Sequence, residues 1–138
     1  MPESNAFSDA MEGQIIDVFL RNASRTLGGA TQYIALVTSA VTEGQTGATI
    51  TEVANSGGYA RQAVTFSAAS GGATSNSGAV TFTASGSNWG TVVGIAIVDS
   101  GTYGAGGMLM FDNSMTDVTI NDGDSLTFAI GDIDVTVT

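Results

Sequence analysis

Residues 89–99 read WGTVVGIAIVD. In an extended chain successive side chains point to opposite faces. That alternation sets Val93, Ile95 and Ile97 against Val92, Gly94, Ala96 and Val98, with both faces apolar. The stretch predicts the strongest strand of the chain, buried on two sides. Its apolar-and-glycine core, VVGIAIV at 92–98, is far too short to cross a bilayer as a helix.

Working outward, the same pattern recurs at short intervals. YIALVTS at 33–39 is another mostly apolar run, consistent with a strand covered on both faces. Residues 40–58 read as a long loop with a short strand near Ile50. YARQAVTF at 59–66 alternates, placing Tyr59, Arg61, Ala63 and Thr65 on one face and Ala60, Gln62, Val64 and Phe66 on the other. SAASGGATSNSG reads as a small-residue linker between AVTFSA at 63–68 and AVTFTA at 79–84, two near-copies that predict strands with equivalent apolar faces. Further strands follow at 108–111, 117–120, 125–130 and 132–137, separated by glycine and aspartate turns. Strands so spaced, in a chain with 19 glycines and one proline, predict a mainly β fold: an antiparallel sandwich, jelly-roll-like.

The one expected helix is FSDAMEGQIIDVFLRN at 7–22. Phe7, Met11, Ile15, Val18 and Phe19 fall at helical spacing, widened by Ile16 and Leu20. Asp9 with Glu12 suits its start and Arg21 its end. A stripe this wide demands cover, from the domain's own sheet or from a neighbouring subunit. At 138 residues the chain is read as a single domain, 1–138, with an N-terminal arm and helix over 1–22 and a β-sandwich over 30–138.

Composition removes most chemistry. Histidine, cysteine and lysine are all absent, so no Ser-His-Asp, Cys-His or Ser-Lys machinery exists within one chain. Thirteen acidic residues against three arginines give a net charge of −10. Such a surface repels phosphate backbones and anionic lipid, which argues against nucleic-acid and membrane partners and for a soluble protein. No cofactor is expected. A glycosidase would need a carboxylate pair in a cleft with aromatic platforms, and Trp89 with three tyrosines is a thin supply.

The acidic cluster is the best lead for a metal. NDGDS and GDIDV place Asp122, Asp124, Asp132 and Asp134 within thirteen residues, and alternation sets Asp132 and Asp134 on one strand face where calcium would suit them. The spacing does not follow an EF-hand loop. The favoured reading is structural: Asp122 and Asp124 flank Gly123 in a hairpin turn, and Asp132 and Asp134 form a solvated face. Trp89 reads as a packing residue. Arg61, a lone cation inside an expected strand, lacks both a nucleophile to assist and basic neighbours to bind a polyanion. It is expected to pair with an Asp or Glu as a structural counter-ion.

Taken in order, AFSDAMEGQIIDVFL, YIALVTS, GGYARQAVTFSAASGGATSN, WGTVVGIAIVDS and NDGDSLTFAIGDIDV resemble a family of short proteins encoded among the virion genes of tailed bacteriophages, often labelled tail fibre proteins. The resemblance spans nearly the whole chain, with MPESN as an extra start and an individual loop at 40–58. It implies a non-enzymatic structural protein of the virion surface, made in the host cytoplasm. Small size and negative charge fit an accessory capsid cement or decoration protein that bridges capsomers, assembling with itself as a homotrimer and with the major capsid protein. The alternative is a tail fibre, tip or adaptor subunit contacting other tail proteins, with host-glycan binding left open. Arg61, Trp89, Phe7, Met11, Ile15 and Phe19 are the expected structural or interface residues.

Overall fold

The computed structural model describes residues 5–137. Its centre is a five-stranded antiparallel sheet in the order β1-β8-β7-β2-β3, built from β1 (Asn5–Phe7), β2 (Gln32–Val37), β3 (Gln62–Val64), β7 (Gly94–Val98) and β8 (Met108–Asp112). Alternation divides β2 and β7 between two apolar layers. Ile34, Leu36, Ile95 and Ile97 face one core, whereas Ala35, Val37, Ala96 and Val98 face another with Met108, Phe111, Val41 and Ile50. The double cover expected from the continuous apolar runs is present.

Three two-stranded antiparallel ribbons supply the remaining strands: β5 (Val80–Thr83) with β10 (Ser125–Phe128), β4 (Ala73–Ser75) with β11 (Asp134–Thr136), and β6 (Gly90–Val92) with β9 (Val118–Ile120). Their inward residues, among them Val80, Phe82, Val92 and Ile120, complete the larger core against the five-stranded sheet. The fold is mainly β, antiparallel and sandwich-like, with one helix.

The chain departs from the expected strands at particular places. The run 89–99 is two strands, because Val93 leaves the ribbon and donates its amide to Val37 O at 2.9 Å. The facing pattern slips there: Val92 joins Ile95 and Ile97 in the larger core, and Val93 packs on the other side. Gly94 permits the corner, since a Cβ there would stand 2.4 Å from Asp112 O. The expected strand 59–66 survives only as β3. Tyr59 and Arg61 are buried, and so is Val64, so the alternation slips here too and Ala63 is exposed. Near Ile50 there is no strand, only a bridge of Glu52 to Val37. The small-residue linker holds β4, turned at Gly71 and Gly72, and its partner β11 closes a ribbon that polarity alone did not reveal.

The helix α1 covers Asp9–Arg21, and Phe7 belongs to β1 instead. Its cap is Ser8 rather than Asp9: the Ser8 hydroxyl accepts from Met11 N at 3.1 Å and donates to Met108 O. Ser8 N also donates to Leu109 O at 2.9 Å, so the helix start is riveted to β8. Asn22 ends the helix in the left-handed region at φ 54°. The strand ahead of the helix is an edge of the main sheet, so the N-terminal segment is not separate from the β body; residues 1–4 of the expected arm lie outside the described residues.

Candidate functional site

The buried polar centre of the molecule forms around Arg61. Beyond the reach of β3, the edge of β2 still needs partners, and the segment 51–53 provides them: Thr38 N donates to Thr51 O at 2.9 Å and Val53 N to Leu36 O at 3.1 Å. This pairing turns Glu52 inward beside Arg61, with side chains 2% and 0% exposed. Arg61 Nε donates to both carboxylate oxygens of Glu52, at 3.1 and 3.2 Å, and Nη2 donates to Oε1 as well. Nη2 reaches Gly47 O at 2.7 Å, and Nη1 reaches Ser100 O and Ala105 O at 2.8 Å each. The planar fork thus serves one carboxylate and three backbone carbonyls, using every one of its donors. Glu52 is the acidic partner that the sequence left unnamed.

Tyr59 closes the arrangement. Its hydroxyl donates to Glu52 Oε2 at 2.8 Å and accepts from Leu36 N at 3.0 Å, replacing the strand partner that β2 lacks there. Burial, and after it the negative charge and hydrogen bond of Glu52, push the Tyr59 phenol well above its ordinary value. The ring stacks parallel to Phe82 at 6.3 Å and meets Trp89 edge-on at 5.4 Å. Trp89 is buried and donates Nε1 to Gly57 O at 2.8 Å, a packing residue with its one polar atom satisfied. Gly47 lies so close to the 100–106 loop that a Cβ would stand 2.4 Å from Ala105 O. Nothing in this centre is open to a substrate, and its chemistry is cross-linking of loops.

The acidic candidates do not converge. Asp124 Oδ2 accepts from Asn121 N at 2.9 Å, Asp132 Oδ2 from Ala129 N at 2.8 Å, and Asp122 Oδ1 from Gly86 N at 2.8 Å. Asp124 and Asp132 each fix their own turn, and Asp122 ties its turn to the one at Gly86. Asp132 sits in the turn ahead of β11 and Asp134 within the strand. The 121–124 turn joins two different ribbons instead of closing a hairpin, because β9 pairs with β6 and β10 with β5. Among the described residues no three acidic side chains are grouped to hold a metal ion. A structural residue the sequence reading missed is Asn76, fully buried. Its amide donates to Gly78 O and Ala129 O and accepts from Gly131 N and Ile133 N, at 2.8 to 3.1 Å.

The exposed features are of another kind. No residue of α1 is buried. Phe7, Met11, Ile15 and Val18 are half-covered, whereas Ile16 is 55% exposed and Phe19 and Leu20 are each 79% exposed. The expected stripe therefore splits into an inner row and an uncovered outer row. Elsewhere a groove of about 570 Å³ opens between β1 and β11, lined by Phe7, Met110, Met115, Phe128, Ile133 and Val135, with Asp112, Asp132 and Asp134 among its polar wall.

A family model described as Podophage GP4 fiber I protein gp80 matches residues 6–136. The chain belongs to that family. Membership makes it a structural protein of a short-tailed phage virion, in agreement with the resemblance carried by the sequence segments. No curated protein matches the chain. The gp80 family match takes in both the helix and the whole Arg61 centre.

Proposed function

We propose that this chain is a non-enzymatic subunit of the tail fibre apparatus, joined to further copies of itself and to neighbouring tail proteins through its uncovered helix. The observation that carries the reading is the outer row of α1. Phe19 and Leu20 stand in water in a chain whose sheet has both faces covered. Burying two such side chains in a contact yields about 1.5–3 kcal/mol each, a driving force left unused in the isolated chain. The family description, a fiber I protein, supports the tail side of the particle.

A second reading keeps the chain on the head, as a cement or decoration protein bridging capsomers beside the major capsid protein. A net charge of −10 favours it, because an outer capsid layer at high copy must stay soluble and away from the packaged genome. Both readings include a homotrimer. Antibody labelling of purified particles separates them: label on the tail with low copy number supports the fibre subunit. Label spread over the head, at a copy number comparable with the major capsid protein, overturns it in favour of cement.

A further inference from the structure

Arg61 is sealed inside the fold, so among the described residues the cationic side chains that face solvent are Arg21 and Arg25. Arg21 is the last residue of α1, and Arg25 lies four residues beyond it. Arg21 closes α1 with its side chain 70% exposed beside Asp17, and Arg25 follows in a segment folded back along the helix. Gln14 pins that segment, accepting from Thr26 N at 2.6 Å and donating to Leu27 O at 2.9 Å. Phe19 and Leu20, at that same end, are the most exposed of the large apolar side chains. The exposed apolar pair therefore lies next in sequence to Arg21, itself ion-paired with Asp17 at 2.8 Å, and a few residues before Arg25, on a molecule that is otherwise acidic.

The groove between β1 and β11 carries the opposite properties. Its floor holds Phe7, Met110, Met115 and Phe128, and Asp112, Asp132 and Asp134 belong to its wall with no cationic residue among the lining. Two copies at −10 repel each other unless a basic patch meets an acidic one. The molecule has exposed apolar residues near its two solvent-facing arginines, and an apolar groove with aspartates in its lining.

We infer that the groove receives the helix end of a second copy, with Phe19 and Leu20 over its apolar floor and Arg21 and Arg25 against the aspartates. The contact is head-to-tail: each copy offers a helix end and a groove, and the two surfaces differ. Contacts of this type close into rings when the rotation between neighbours allows and otherwise extend as filaments. The inference rests on the reading of the chain as an assembling subunit and assigns that assembly its two faces.

Two double variants test it, both at exposed positions so that the fold is spared: Phe19→Ser/Leu20→Ser on the helix and Asp134→Arg/Val137→Arg at the groove. Circular dichroism and melting temperature should match the unaltered chain. Sedimentation velocity should show the unaltered chain associating, and each variant alone associating about tenfold more weakly or less. An equimolar mixture should form dimers and nothing larger, because the groove variant's intact helix end fits the helix variant's intact groove. A groove variant that associates as well as the unaltered chain overturns the inference and points to helix-on-helix contact. A mixture that stays monomeric overturns it also. A monomeric unaltered chain that is nevertheless incorporated into particles overturns the head-to-tail contact while leaving the structural role standing; absence from particles removes that role itself.

Discussion

The Arg61 centre and the helix α1 reverse the usual distribution of residues. At the centre a full ion pair is buried, its side chains 0% and 2% exposed, whereas on the helix two of the largest apolar side chains are 79% exposed. Charged residues are seldom fully buried unless paired, and contiguous exposed apolar groups mark places where something else binds. The contrast assigns two different tasks. The buried pair holds together loops that belong to no strand, at Gly47, Glu52, Ser100 and Ala105, and so makes a rigid body from short elements. The helix buries none of its residues fully, and its outer apolar row, Ile16, Phe19 and Leu20, is left uncovered by that body.

The largest effect is expected at the centre. Glu52→Ala leaves a buried guanidinium without its counter-charge and should cost roughly 3–5 kcal/mol, read as a fall in denaturant midpoint at unchanged slope. Replacing both partners, Glu52→Met with Arg61→Met, sharpens the point. For a simple buried pair, an apolar replacement of both is often neutral. Here Gly47, Ser100 and Ala105 would lose the donor to their carbonyls, so the double variant should remain destabilised by more than about 1 kcal/mol. A double variant as stable as the parent would show that the carbonyl contacts are incidental.

Tyr59→Phe should cost about 1–3 kcal/mol, because both the buried Glu52 oxygen and the Leu36 amide lose a partner. Its titration gives a second signature. The phenol is raised in the folded state, so its contribution is complete below the ordinary tyrosine value of about 10 and declines as pH climbs above it, where the unfolded chain releases the proton first. Melting temperature followed through that alkaline range should fall more steeply for the parent than for Tyr59→Phe. Equal slopes would remove Tyr59 as the source.

Smaller again is the link between the two regions. Ser8 caps the helix and donates to Met108 O, joining α1 to β8. Ser8→Ala should cost about 1 kcal/mol, at the middle of the range for a lost cap. If it cost as much as Glu52→Ala, the helix would be part of the rigid body and the contrast drawn above would fail.

How far these features could be read from the sequence depends on what each one obeys. The strands 32–37 and 94–98 were legible because both faces are buried and every position is apolar. The larger core shared by Val64, Phe66, Val80 and Phe82 was legible as the repeated AVTF. The two slips in alternation were not, since each arises from a tertiary demand: Arg61 turns in toward Glu52, and the chain changes from ribbon to sheet at Val93. Glu52 itself lies in a loop with no local pattern, nine residues from Arg61, and only the unpaired edge of β2 brings it there. Asn76 escaped for the same reason, as its four bonds reach residues 78 and 129–133. The helix was legible as a helix, but an apolar stripe carries no label saying whether its own sheet or another molecule will cover it.

That last ambiguity makes the smallest stability effect the most informative. Phe19→Ser removes a side chain that is 79% exposed and touches little of its own body, so the monomer should change by no more than about 0.5 kcal/mol. A buried phenylalanine would instead lose about 3–5 kcal/mol on truncation. The two figures are far enough apart for one chemical denaturation curve, taken at a concentration where the chain is monomeric, to choose between them. Should the loss be large, the outer row of α1 is covered within one chain in solution, and the helix joins the Arg61 centre as part of the fold. Should it be near zero while assembly at higher concentration is lost, the apolar row is held for a neighbouring molecule, which is the division of labour that the buried arginine and the exposed phenylalanine together imply.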